Sequence, residues 1–131
     1  EETISKLGFN NIQLVKGDVR GLPFPDNWFD RVVCVSVLEH IPTERSKAIN
    51  EMVRVLKPKG VLLLTTDICY NPQYQPKWGE EVITQFEAQT IATDLGLSFK
   101  PQFGAGYVAG LVKKVETAVM VVRFVKSKKG G

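Results

Sequence analysis

Four residues have the type and position to do chemistry: Asp18, Ser36, His40 and Asp67. Asp18 follows Gly17 at the end of a short β-branched run, Ile12–Lys16. A carboxylate there could accept the exocyclic amine of an adenine while the Val19 amide donates to the ring, a pairing that reads one edge of the base. The same carboxylate could instead cap a turn, and the residues leave both roles open. Ser36-Val37-Leu38-Glu39-His40 marks the exit of a second, strongly apolar run, where backbone carbonyls could hold an ammonium group and the short Ser36 lets a ligand approach. His40 is the sole histidine, so it is the first candidate for a general base near neutral pH. A lone histidine at a helix start equally packs or caps. Asp67, after a third apolar run, is the second candidate. Glu39 pairs with an arginine or lysine or faces solvent, and Asp30 ends a turn.

The elements that must position these groups follow from periodicity. Glu1–Leu7 resembles the tail of an amphipathic helix stopped by a left-handed Gly8. Ile12–Lys16 is a short strand, and Arg20–Trp28 holds too many breakers for a helix. Within that loop Leu22-Pro23-Phe24 is a core plug, the wall of a ligand pocket, or both. Phe29–Leu38 is apolar almost without alternation, the pattern of a central strand covered on both faces. Thr43 caps a helix carrying Ala48, Ile49, Met52, Val53 and Leu56 on one stripe, ended by Lys57-Pro58-Lys59-Gly60. Val61–Thr65 is a second continuous apolar strand. Asp67–Gly79 forms a surface insertion whose Tyr70, Tyr74 and Trp78 close over a substrate or simply pack on the sheet. Glu80–Leu95 is helical and closed by Gly96; Leu97–Phe103 and Glu116–Lys126 make two last strands as an antiparallel hairpin. Strands alternating with helices give an open α/β sheet, where ligands bind beyond the carboxyl ends of the strands, so Asp18 and Ser36 share one rim.

With 131 residues, 44% of them hydrophobic, the chain forms one globular domain over residues 1–126 followed by a flexible basic tail, 127–131. The net charge of +3 owes much to Arg123, Lys126, Lys128 and Lys129 near the C-terminus, which argues against a nucleic-acid-binding face. Cys34 and Cys69 lack a C-x-x-C or clustered histidines, so no metal site is expected and both are free thiols of a reducing, cytoplasmic compartment. No run approaches the length needed to cross a bilayer, and no secretion signal opens the chain.

D-x-x-x-L-P-F-x-D-x-x-F-D-x-V over Asp18–Val32, V-L-E-H over Val37–His40 and E-M-x-R-V-L-K-P-x-G-x-L over Glu51–Leu62 together resemble the class I S-adenosylmethionine-dependent methyltransferases, nearest to the small-molecule type 11 group. The resemblance implies a Rossmann-like, mostly parallel sheet flanked by helices, with the last strand antiparallel. It implies that Asp18 and Val19 contact the adenine of S-adenosylmethionine, that Ser36 and Val37 line its methionine part, and that the loop after Thr66 helps shape the pocket of a small-molecule methyl acceptor. The family also begins with a strand, a G-x-G-x-G turn and a helix, then a strand ending in an acidic residue; these 131 residues contain none of that. The chain is therefore expected to be the C-terminal part of such a domain, truncated and inactive alone, with Phe29–Leu38 left without a neighbour.

Three outcomes follow for that strand: Ile12–Lys16 shifts sideways to pair with it, two copies join as a homodimer along the edge, or the missing elements belong to a parent protein. Truncation with dimer pairing is the favoured combination. A methyltransferase-like remnant serving assembly is the alternative function. A nicotinamide-dependent dehydrogenase would need a G-x-G-x-x-G after a strand, which is absent.

Overall fold

The computed structural model describes residues 6–41, 43–69, 83–96 and 117–128. Among them the elements are β1 (Phe29–Val35), a 3-10 turn (Leu38–His40), α1 (Arg45–Val55), β2 (Leu56–Cys69), β3 (Ile83–Thr84), α2 (Gln85–Asp94) and β4 (Thr117–Val125). β2 is the hub. β1 pairs parallel with it, Val35 opposite Thr65, and β3 pairs parallel at Ile68 and Cys69. β4 runs antiparallel along β2 from Val61 to Cys69. A strand has two edges; since β4 fills one of them throughout, β1 and β3 share the other.

The side chains of a strand alternate between faces, and here the two faces differ sharply. Cys34, Leu62, Leu64, Ile68 and Val122 are buried against Ala48, Ile49 and Met52 of α1 and Ala88, Ile91 and Leu95 at α2. The spacing of Ala48, Ile49, Met52 and Val55 puts them on one stripe of α1, which is why that helix lies on this face. The opposite face is bare among the described residues. Val33, Leu63, Val35, Val121 and Val125 fall on it by register, with exposures between 37 and 65%, and Arg31 and Arg123 stand among them.

Several expectations need correction. Ile12–Lys16 is not a strand: it pairs with nothing among the described residues, and Ile12, Leu14 and Val15 stay about half exposed. A parallel partner for β1 needs a crossover of a dozen or more residues, and the residues after Gly17 are instead held against α1. Sideways pairing with β1 is thus not adopted. Among the described residues β1, which stops at Val35, is an edge strand covered on one face only, not a central one. Thr43 does not cap α1; the cap is Glu44, in a left-handed conformation with φ 61°, and it makes no side-chain capping bond. The second helix starts at Gln85 and not Glu80, because Ile83–Thr84 joins the sheet and Thr84 forms a capping box with Glu87. Asp67–Cys69 extends β2 and does not belong to an insertion.

Lys57–Gly60 departs from the ladder: Phe29 pairs with Leu56 and Arg31 with Val61, so the segment between bulges out. Lys59 is left-handed, and at Gly60 a Cβ would stand 2.7 Å from both Leu56 Cδ1 and the Lys57 carbonyl, so only glycine fits. Gly8 and Gly96 take the left-handed conformations expected of helix stops. The expected strand Leu97–Phe103, its hairpin pairing, and Tyr70, Tyr74 and Trp78 lie outside the described residues.

Candidate functional site

The loop from Asp18 to Trp28 runs along α1 from one end to the other. At the start of the helix, Arg20 Nη1 lies 3.5 Å from Thr43 Oγ1 and 4.0 Å from Glu44 Oε2. At its end, the amides of Asn27 and Trp28 donate to the carbonyls of Arg54 and Val55 at 3.0 and 2.8 Å. Eleven helical residues span about 16 Å. The loop thus carries the chain from the rim where β1 exits, through Ser36–Glu44, to the opposite edge where β1 begins. Asp18 and Ser36 therefore share a rim.

The middle of the loop is clamped by two side chains of α1. Glu51 Oε2 accepts from the Leu22 amide at 2.8 Å, and Arg54 donates to the carbonyls of Leu22 and Phe24 at 3.0 and 2.9 Å and to Asp26 at 2.8 Å. The two clamp residues also bind each other, Nε to Oε1 at 2.7 Å. That pair holds the Glu51 carboxyl below its ordinary range and raises the Arg54 guanidinium above its own, so both stay charged. Leu22, Pro23 and Phe24 line an open cleft of about 580 Å³ together with Leu14, Val15, Gly17 and Val19. Phe24 meets Phe29 edge to face, ring centroids 4.9 Å apart.

Asp18 is bonded within its own turn by three N–H groups of Arg20 and remains about half exposed. Oδ1 accepts from the Arg20 amide at 2.8 Å and Nε at 3.0 Å; Oδ2 accepts from Nη2 at 2.8 Å and Nε at 3.2 Å. The Arg20 side-chain bonds, then its amide, lower the carboxyl pKa to about 2. Its carbonyl accepts from Gly21 at 3.0 Å, completing the turn that the carboxylate caps. The Val19 amide makes no hydrogen bond among the described residues, so an acceptor and a donor stand side by side, the pattern that complements the amine edge of an adenine.

At the exit of β1, Ser36 turns left-handed with φ 51° and its amide donates to the Thr65 carbonyl at 3.0 Å. The Val37 carbonyl is taken by the His40 amide, leaving Ser36 as the better carbonyl for a ligand ammonium. The sequence expectation for Glu39, a cation partner or solvent, is overturned: it is 3% exposed, accepts from Thr66 Oγ1 at 2.7 Å, and its other oxygen is buried without a partner among the described residues. Arg45 holds this turn from outside, donating to the carbonyls of Leu38 and Glu39 and to Glu87 Oε1 at 2.6 Å. His40 is exposed beside it. Asp67, two residues beyond Thr65 in β2, lies at the same end of the sheet. Cys34 is a free, buried thiol pushed up to about 11, first by burial and then by Glu39.

Arg20, Glu51, Arg54 and Arg45 were not among the residues singled out from the sequence, although Glu51 and Arg54 lie in a motif and three residues apart. Lys126, counted there with a C-terminal cationic cluster, is buried: its ammonium donates to the carbonyls of Leu56 and Val53 and to Asn27 Oδ1 at 2.8 to 2.9 Å.

The family model described as a methyltransferase domain matches residues 1–64. Ubiquinone/menaquinone biosynthesis C-methyltransferase UbiE of Pseudomonas putida is 48% identical over 54 residues, 41% of this chain and 21% of that protein. Demethylmenaquinone methyltransferase of Anoxybacillus flavithermus is 42% identical over 60 residues, 46% of this chain and 25% of that protein. An arsenic(III) S-adenosylmethionine methyltransferase of Chlamydomonas reinhardtii superposes over 95% of this chain and 48% of its own with a TM-score of 0.65 and 19% identity, a likeness of fold. By these matches the chain is similar to the class I S-adenosylmethionine-dependent methyltransferases. Its mostly parallel sheet with an antiparallel last strand is the Rossmann-like sheet of that enzyme family. The aligned stretches span about a quarter of the length of these curated relatives. Among the described residues no helix is long and apolar enough to cross a membrane, and no cluster of side chains fits a metal ion.

Proposed function

We propose that the chain supplies the adenine-reading and methionine-lining part of an S-adenosylmethionine site for methyl transfer to a small molecule. One observation carries the reading: the Asp18 acceptor and the open Val19 donor sit together on the rim where Ser36 and Val37 leave β1. Asp18 and Val19 would hold the adenine edge, the Ser36 carbonyl and the Val37 segment the methionine end, and the cleft wall Leu22–Phe24 the apolar ring face. The cofactor, when bound, supplies an activated methyl group. The protein's share is alignment and exclusion of water. Where the acceptor must lose a proton, exposed His40 is the first candidate and Asp67 the second. The printed names of the relatives, which concern quinone biosynthesis, support a small-molecule acceptor. Calorimetric titration with S-adenosylmethionine tests the proposal: saturable heat that disappears in Asp18→Ala supports it, and no heat from the folded chain refutes it.

A second reading is an assembly module, favoured by the bare valine face and by the outer edge of β1, which lacks a partner strand among the described residues. Two copies would join along β1 as a homodimer, with residues 127–131 outside the domain. A monomeric mass in light scattering at concentrations where the chain is folded removes this reading. Cytoplasmic residence is proposed on the free Cys34 thiol.

A further inference from the structure

We propose that Arg20 is the affinity-determining residue of the adenine site, a latch that must leave Asp18 before a ligand amine can bind there; this rests on the S-adenosylmethionine reading above. An ionised carboxylate offers about four acceptor positions. In Asp18 three N–H groups make four contacts, the single Nε–H being shared between the two oxygens, and every donor belongs to Arg20. An incoming exocyclic amine therefore competes with the guanidinium directly. The backbone bond from the Arg20 amide to Oδ1 shapes the turn and can stay; the Nη2 bond to Oδ2 must yield.

The structure also holds the place to which the guanidinium would go. Nη1 already lies 3.5 Å from Thr43 Oγ1 and 4.0 Å from Glu44 Oε2, on the opposite side from Asp18. Glu44 is pinned at the helix start in a left-handed conformation and its other oxygen meets Lys47 Nζ at 3.6 Å. A rotation of the Arg20 side chain exchanges one carboxylate for another without losing its charge partner. Arg20 is about one third exposed, so the exchange takes place in contact with water and is screened by salt.

The test is calorimetric titration of the chain with S-adenosylmethionine at low and high salt, for the parent, Arg20→Met and Glu44→Gln, each checked for unchanged circular dichroism. Opening an exposed pair corresponds to about a two- to fivefold effect. Arg20→Met is expected to bind that much more tightly at low salt, with the difference shrinking at high salt. Glu44→Gln is expected to bind more weakly than the parent, and to have no effect when added to Arg20→Met. Parent binding with Arg20→Met equal or weaker overturns the latch and leaves the cofactor reading standing. No saturable heat from any of the folded proteins overturns both.

Discussion

Lys126→Met isolates what a single buried ammonium does for this fold. Lys126 is 8% exposed and sits where β4 ends, with its Nζ donating to Leu56 O, Val53 O and Asn27 Oδ1 at 2.8 to 2.9 Å. Val53 and Leu56 lie at the end of α1, where the Val53 carbonyl also accepts from the Leu56 amide and the helix dipole favours a cation. Methionine keeps most of the stem and removes the donors. A bond to a charged group contributes roughly 1.5–3 kcal/mol, but the three share one ammonium whose own burial costs several kcal/mol, so they do not add. The net loss should be about 2–4 kcal/mol, a large part of the ~5–15 kcal/mol that stabilises an ordinary domain. With an m-value of ~2 kcal/mol/M, the urea midpoint should fall by about 1–2 M with m unchanged. Circular dichroism and tryptophan fluorescence during urea titration provide the readout. A midpoint within ~0.3 M of the parent would mean that water serves those carbonyls equally well, and the account of Lys126 as a cap would be wrong. Lys126→Arg should be intermediate, since a planar guanidinium cannot converge on three acceptors as an ammonium does.

Asp18 should titrate near pH 2 by carbon-detected NMR and move back towards 3.8 in Arg20→Met, because Arg20 is the first cause of its low value. Its folded pKa lies below its unfolded one, so the stability it contributes is present above about pH 4 and fades as pH falls through the window down to about 2; an unshifted midpoint in the parent would contradict the bonding of Arg20 to both carboxylate oxygens. Cys34 has the opposite sign: its thiol is raised from 9.0 to about 11, so its contribution is intact below pH 9 and eroded as pH rises through 11, and the native thiol should react with Ellman's reagent only on the timescale of unfolding. Gly60→Ala should lower the thermal midpoint more than an exposed Gly21→Ala, because its Cβ would lie 2.7 Å from a backbone oxygen, whereas at Gly21 nothing lies within 4 Å; equal effects would disprove the close approach.

The parts of the fold that follow from local periodicity were legible in the sequence. The Ala48, Ile49 and Met52 stripe of α1, the apolar β1 and β2 runs and the left-handed stops at Gly8 and Gly96 are each set by a few neighbouring residues, whereas the antiparallel last strand was implied by the family resemblance. What was not legible depends on partners distant in sequence. Ile12–Lys16 has the composition of a strand, yet composition does not say whether a ladder partner lies alongside. Thr43 has the right chemistry for a cap, but its hydroxyl turns to Arg20. The shared rim of Asp18 and Ser36 followed from topology alone, while the arginine filling Asp18 two residues away required the coordinates.

The three sequence segments that carry the resemblance are tied together in this structure, the first to the third directly and the second through neighbouring residues. Glu51 and Arg54, from the third segment, grip the main chain of Leu22–Phe24 in the first. Thr66, just beyond the third, holds Glu39 in the second. Arg45 then ties the carbonyls of Leu38 and Glu39 to Glu87, so the exit of β1 is braced by β2, α1 and α2 at once. The clamp acts on backbone atoms, which leaves the side chains of Leu22 and Phe24 free to face the cleft while their positions are fixed. The rim needs this bracing because, among the described residues, β1 lies at the sheet's edge with its Val33 and Val35 face uncovered, so the side chains on the other face must fix its position. Substitutions at Glu51 or Arg54 should therefore loosen Asp18 and Val19 through the loop they end, changing ligand affinity without removing any group that touches the ligand.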